Sequence, residues 1–124
     1  MDDQEFVSLV AQRADVDPDT ARVHISAVLT TLAERISGGE ARQLADVLPE
    51  SARDPLRSGD EPAHAWDEDE FVRRVAARLH SDPATAEDAA RAVLVTAREA
   101  APGEFRDVIS QLPQEYRAVV GPMP

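Results

Sequence analysis

Cysteine is absent from the 124 residues, which excludes disulfides, thiol catalysis and cysteine-based zinc sites. Lysine is absent too, so all 13 basic residues are arginine. With 21 alanines beside them, that usage fits the codon bias of a GC-rich genome better than selection for bidentate arginine contacts. Aromatic residues are scarce: three Phe, one Tyr and one Trp. A core built from Ala, Val and Leu suits helices in close contact better than a β-sandwich, whose strands favour aromatic and β-branched side chains. There is no run of about 18 apolar residues. The chain opens MDDQEF, with neither a basic n-region nor an apolar h-region, and reads as a cytoplasmic, soluble protein.

What is present in excess is negative charge. Twenty-four acids against 13 bases give a net charge of −11, with −7 in residues 1–62 and −4 in residues 63–124. That field repels a nucleic-acid duplex or an anionic membrane unless a basic patch is set apart from it. No such patch stands out, so neither partner is expected. With 43% hydrophobic residues, a chain of this length buries a real core and is not disordered.

The chain writes one segment twice. EFVSLVAQRADVDPDTA at 5–21 returns as EFVRRVAARLHSDPATA at 70–86. At an offset of 65 residues, 16 of the 34 positions in 5–38 and 70–103 are identical. One residue further on, LADVLPESARDPL aligns with VISQLPQEYRAVV at an offset of 64. Between the copies lies RSGDEPAHAW, which has glycine, proline and charge in place of pattern. Such a period signals a unit stacked on its copy.

Each unit has helical spacing. Phe6, Val7, Val10, Ala11 and Ala14 fall on one helix face, as do Phe71, Val72, Val75, Ala76 and Leu79. Asp67 with Glu70, and Asp2 with Glu5, have the spacing of a capping box. Asp17-Pro18 and Asp82-Pro83 start a second helix, with the aspartate as N-cap and proline at N1. Its expected buried stripe is Ala21, Ile25, Val28, Leu29, Leu32 and Ile36, mirrored by Ala86, Ala90, Val93, Leu94, Ala97 and Ala101. Gly38 and Gly103 stand where a left-handed C-cap would end that helix. Two shorter helices follow in each copy, at Ala41–Leu48 and Glu50–Leu56, and at Phe105–Leu112 and Gln114–Val120. Each pair is divided at Leu-Pro. The expectation is all-α: two tandem, pseudo-symmetric four-helix repeats, residues 3–56 and 67–120, joined by a linker at 57–66. Each is too small to bury its apolar faces alone, and the two pack into one domain spanning 1–124.

Differences between copies are where a distinct role would lie. Leu9 faces Arg74 in the alignment, Ala41 faces Phe105 and Ala52 faces Tyr116. Leu9 belongs to the interface of the modules or to an exposed patch. Phe105 and Tyr116 fill space left by small residues in the other half, or line a pocket.

The chemical motifs are poor. Asp15-Val16-Asp17-Pro18-Asp19 starts like a calcium loop, but the sixth and twelfth positions are Thr20 and Ser26 where glycine and glutamate are needed. His24, His64 and His80 have no metal-ligand spacing and occupy unrelated positions in the two copies; His80 sits at a helix C-terminus, where partial positive charge is welcome. No nucleophile elbow or phosphate loop is present. Arg73, Arg74 and Arg78 follow Asp67, Glu68, Asp69 and Glu70 closely, so internal pairs such as Glu70 with Arg74 account for them better than phosphate contacts. No catalytic, cofactor-binding or metal residue is therefore expected.

The segment EFVRRVAARLHSDPATAEDAARAVLVTAREAAPGEFRDVISQLPQEYRAVV resembles the bacterial family called domain of unknown function 2267. The likeness rests on Phe71, Val75 and Leu79, on Ala92-Val93-Leu94, and on Gln111-Leu112-Pro113 with Arg117. Phe6, Val10, Ala27-Val28-Leu29, Leu48-Pro49 and Arg53 repeat it in the first half. Val47 departs from the pattern, where the family commonly has glutamine before Leu-Pro. The resemblance implies an all-α tandem domain with no established activity and no agreed site residues.

The leading functional expectation is a protein-protein interaction module without catalysis, its charge suited to a basic partner. The alternative is a small-ligand sensor or enzyme with a pocket between the repeats, near Tyr116 or His24. Exchange of modules between two chains leaves a homodimer open as a third arrangement.

Overall fold

In the computed structural model the described residues are 1–58 and 63–121. They form eight α-helices and one 3₁₀ turn, with no strand among them. Helices α1 (Asp3–Ala14), α2 (Pro18–Arg35), α3 (Gly38–Val47) and α4 (Glu50–Arg57) make up the first half. Helices α5 (Glu68–Leu79), α6 (Pro83–Ala100) and α7 (Pro102–Ser110) follow, then the 3₁₀ turn Gln114–Tyr116 and α8 (Arg117–Val120).

Aspartate starts all four long helices. The carboxylates of Asp2, Asp17, Asp67 and Asp82 accept from the backbone N–H groups of Glu5, Thr20, Glu70 and Thr85 at 2.7–2.8 Å. Each satisfies a donor that the first turn would leave orphaned, a cap worth about 1 kcal/mol. Pro18 and Pro83 stand in the first turn of α2 and α6, as the Asp-Pro pairs predict.

The helix ends correct the reading of the glycines. Gly38 is the first residue of α3, whose N-cap is Ser37, and Gly103 lies in the first turn of α7. Neither has positive φ. Helix α2 ends instead at Ile36 in an extended conformation, so the chain turns straight into α3. The left-handed caps are Asp15 (φ 57°) and His80 (φ 54°), which close α1 and α5. Asp and His tolerate this region better than most non-glycine residues.

The short helices also differ from expectation. Helices α3 and α7 start three residues earlier than Ala41 and Phe105, and α7 stops at Ser110. The stretch expected to be one helix at 114–120 is a 3₁₀ turn followed by four α-helical residues. Residues 59–62 of the expected linker lie outside the described residues. Its described end is tied down: His64 N–H donates to Glu34 O at 2.9 Å.

Both predicted stripes of α2 and α6 are buried in full. They join Phe6, Val10, Phe71 and Val75 in one hydrophobic cluster that includes residues of both halves. Helix α1 packs on α6 as well as on α2, α5 packs on α2 as well as on α6, and α2 packs on α6. Apolar surface that either half would expose alone is thereby covered by the other, each buried Val or Leu being worth about 1.5–3 kcal/mol.

Candidate functional site

Two arginines at aligned positions stitch the halves together. Arg13, in the last turn of α1, donates from Nη1 to Thr96 Oγ1 at 2.8 Å and lies 2.8 Å from the Glu99 carboxylate. Arg78, in the last turn of α5, donates to Thr31 Oγ1 at 2.7 Å and lies 2.8 Å from Glu34. The receiving threonines are fully buried and pass their own protons to Ala92 O and Ala27 O, one turn back. Arg78 therefore leaves its own helix for the other half, whereas Arg73 and Arg74 pair with Glu70 at 2.8 and 2.9 Å, as their spacing predicts.

A second junction is buried and centres on Tyr116, which is 1% exposed. Its hydroxyl donates to Trp66 O at 2.8 Å, lies 3.1 Å from Asp67 O, and accepts from Arg35 Nε at 3.2 Å. Arg35 Nε also reaches Trp66 O at 2.8 Å. Arg35 is 7% exposed and has no carboxylate partner among the described residues; as the last residue of α2 it sits at the negative end of the helix dipole. Burial pushes the Tyr116 phenol above its usual 10, against the pull of the Arg35 guanidinium. Above the junction the Trp66 ring has Arg74 over it at 4.1 Å and His64 stacked at 5.0 Å. Arginine 35 escaped the sequence reading because a charged residue at a helix end looks solvated until a partner helix covers it.

A third contact concerns the departure at Val47. Gln111 accepts from Ser37 N–H at 2.9 Å and donates to Ser37 Oγ at 3.2 Å, so the second half caps α3 of the first. In the opposite direction the partner of Val47 would be Pro102, which has no N–H to offer. Val47 is accordingly 47% exposed and has no polar task.

Of the residues proposed for a pocket, Tyr116 borders an open hollow of about 260 Å³ together with Ile109, Leu112, Arg117 and Val120. Phe105 is wholly buried, and Phe71 meets Tyr116 edge-on at 5.6 Å, so the bulk of the second half fills the core. Leu9 is partly buried. His24, expected at the edge of α2, is 7% exposed, and its Nδ1 is buried without a hydrogen-bond partner among the described residues. Burial holds its pKa below the usual 6.5. No three His, Asp or Glu side chains among the described residues are grouped to hold a metal ion.

Open grooves lie where the end of one half's first helix meets the other half's second. One, of about 390 Å³, is bounded by Arg13, Ala14 and Asp15 on one side and Asp88, Arg91, Ala92 and Val95 of α6 on the other. The aligned groove, about 360 Å³, has Arg78 facing Val23, Ser26, Ala27 and Thr30 of α2. The two have diverged in character. Asp88 and Arg91 in the first correspond to Val23 and Ser26 in the second, and Val23 is 56% exposed. A smaller hollow of about 150 Å³ is lined by Asp67, Glu68, Asp69 and Glu115. Partial burial, with Glu87 and the neighbouring aspartates, raises the Glu68 pKa above 4.5.

No helix among the described residues is long and apolar enough to cross a membrane. A comparison with proteins of curated function returns no match. Residues 3–119 match the family described as uncharacterized conserved protein, DUF2267. That span contains the paired helices, the arginine stitches and the Tyr116 junction, and the chain belongs to the DUF2267 family.

Proposed function

We propose that this is a protein-binding module of the bacterial cytoplasm, without chemistry of its own, that engages a basic partner through its acidic helical surface. It consists of two tandem copies of one repeat, residues 3–56 and 67–120, related by an approximate two-fold within a single domain. The reciprocal pairs Arg13 with Thr96 and Arg78 with Thr31 support that arrangement, because aligned residues make the same contact in both directions.

The observation that carries the functional reading is the combination of a filled junction between the halves with a net charge of −11. Tyr116 and His24 are buried side chains, and the hollows at Tyr116 and between the halves are open to solvent at the surface. What remains for recognition is the outer surface, and its field draws positively charged partners at rates that fall with salt.

The test is affinity capture from native lysate at low and high ionic strength. Retention of a basic protein, released by salt, is the expected result. If nothing is retained while a defined metabolite raises the melting temperature, the ligand-sensor alternative replaces this reading.

A further inference from the structure

We propose that the hollow beside Tyr116 binds a small amphipathic carboxylate, a free organic acid with a short aliphatic body. The inference goes beyond the protein-binding reading and stands or falls separately from it.

The hollow holds about 260 Å³, and every residue lining it lies between 109 and 120. It is a dimple within one short stretch, not a groove along a helix that a peptide could follow. At ~30 Å³ for each water-sized group, it has room for roughly eight non-hydrogen atoms. Ile109, Leu112, Pro113 and Val120 supply its apolar wall, and Ile109 and Leu112 are only partly buried. Covering that surface favours an aliphatic group.

The lining carries one charged side chain, Arg117, so its net charge is +1. Arg117 has no ion pair among the described residues. With the Gln114 amide turned so that its oxygen faces the guanidinium, that oxygen accepts from both Arg117 Nη atoms at 3.2 Å. The contact steadies the planar fork without neutralising it, and leaves the remaining N–H donors for a ligand. Glu115 lines the separate hollow with Asp67, Glu68 and Asp69. A carboxylate is the complementary group, because it takes two parallel N–H bonds from a guanidinium.

The first half provides an internal comparison. Ala45, Leu48 and Leu56 stand in place of Ile109, Leu112 and Val120, and all three are wholly buried. Arg53, aligned with Arg117, is folded back to donate from Nε to Leu48 O at 3.3 Å, and Arg117 makes no such bond among the described residues. The eight-residue α4 is replaced in the second half by a 3₁₀ turn and the four residues of α8. The same stretch is thus closed in one copy and open in the other, with its arginine released at the opening.

The experiment is an amide NMR titration of the full chain with sodium hexanoate, and with hexanamide as the neutral match in shape. Hexanoate should shift Ile109–Leu112 and Gln114–Val120 saturably in the millimolar range, as a ligand of that size allows, and leave Ala45–Leu48 unmoved. Arg117→Gln should weaken binding about tenfold, whereas Arg53→Gln should leave it unchanged. Arg117 is exposed, so the variant should keep the wild-type Tm, which separates lost binding from lost fold. Absence of saturable shifts, equal shifts with hexanamide, or undiminished binding by Arg117→Gln overturns the proposal. A wild type that retains a basic protein from lysate but does not bind hexanoate removes this site and leaves the protein-binding reading standing.

Discussion

Replacing Tyr116 by phenylalanine isolates one buried hydroxyl. The ring remains, and with it the edge contact to Phe71 at 5.6 Å, so the change leaves no cavity beyond one oxygen. What goes is the donor to Trp66 O at 2.8 Å and the acceptor for Arg35 Nε at 3.2 Å. Trp66 O keeps a partner, because Arg35 Nε reaches it directly at 2.8 Å. The loss is therefore that of one hydrogen bond with a charged group nearby, about 1–2 kcal/mol. Unfolding entropy of roughly 2.1 cal/mol/K per residue gives about 0.26 kcal/mol/K for this chain, so Tm should fall by about 6 °C. Arg35→Met keeps the length of the side chain and leaves Tyr116 bonded to Trp66 O, but removes a buried cation. Because each single variant leaves Trp66 O one donor and the double variant leaves it none of the two, the double variant should be more destabilised than the sum of the singles by about 0.5 kcal/mol or more. Urea unfolding and calorimetry on the four proteins measure this. A Tm for Tyr116→Phe within 1 °C of wild type, on a scale of about 4 °C per kcal/mol, or strict additivity, would refute the junction as described.

Other outcomes follow from the same structure. Val93→Asp places a carboxylate in a fully buried position, costing several kcal/mol against a total of about 5–15, and the variant should lose its cooperative melt in far-UV circular dichroism. Gln111→Ala leaves Ser37 N–H without its acceptor and should cost about 1 kcal/mol in urea unfolding, whereas Val47→Ala, at the aligned but exposed position, should cost less than about 0.5. His24 has a folded pKa below 6.5, so the unfolded chain binds the proton first: its contribution to stability is full above about pH 6.5 and is lost as pH falls through the lowered folded value. His24→Leu should flatten the Tm profile between pH 7.5 and 5.5, roughly one unit either side of the unfolded pKa, and an unchanged profile would refute the assignment. The caps Asp17 and Asp82 act in the same direction, but only at lower pH, since hydrogen bonds from Thr20 and Thr85 hold both below 3.8.

The local order of the chain was legible in its residues. Helical spacing and Asp-Pro pairs placed α1, α2, α5 and α6 and named their buried stripes apart from Ala14 and Leu79, which are partly buried, because periodicity and capping are properties of neighbours in sequence. Buried apolar residues of both halves share one cluster. Glycine misled at 38 and 103 for a physical reason: Ser37 and Pro102 each supply a helix start there, so no left-handed stop is needed.

Tertiary packing alone decided the polar features. Arg35, Thr31 and Thr96 look solvated in sequence, and only the arrival of another helix makes them buried partners of Tyr116, Arg78 and Arg13. The groove at Asp15 and Asp88 joins positions 73 residues apart. Burial and cavity shape are set by long-range contacts, whereas caps and helix periods are set within a few residues, and that difference in range separates what the amino-acid order determined from what the fold added.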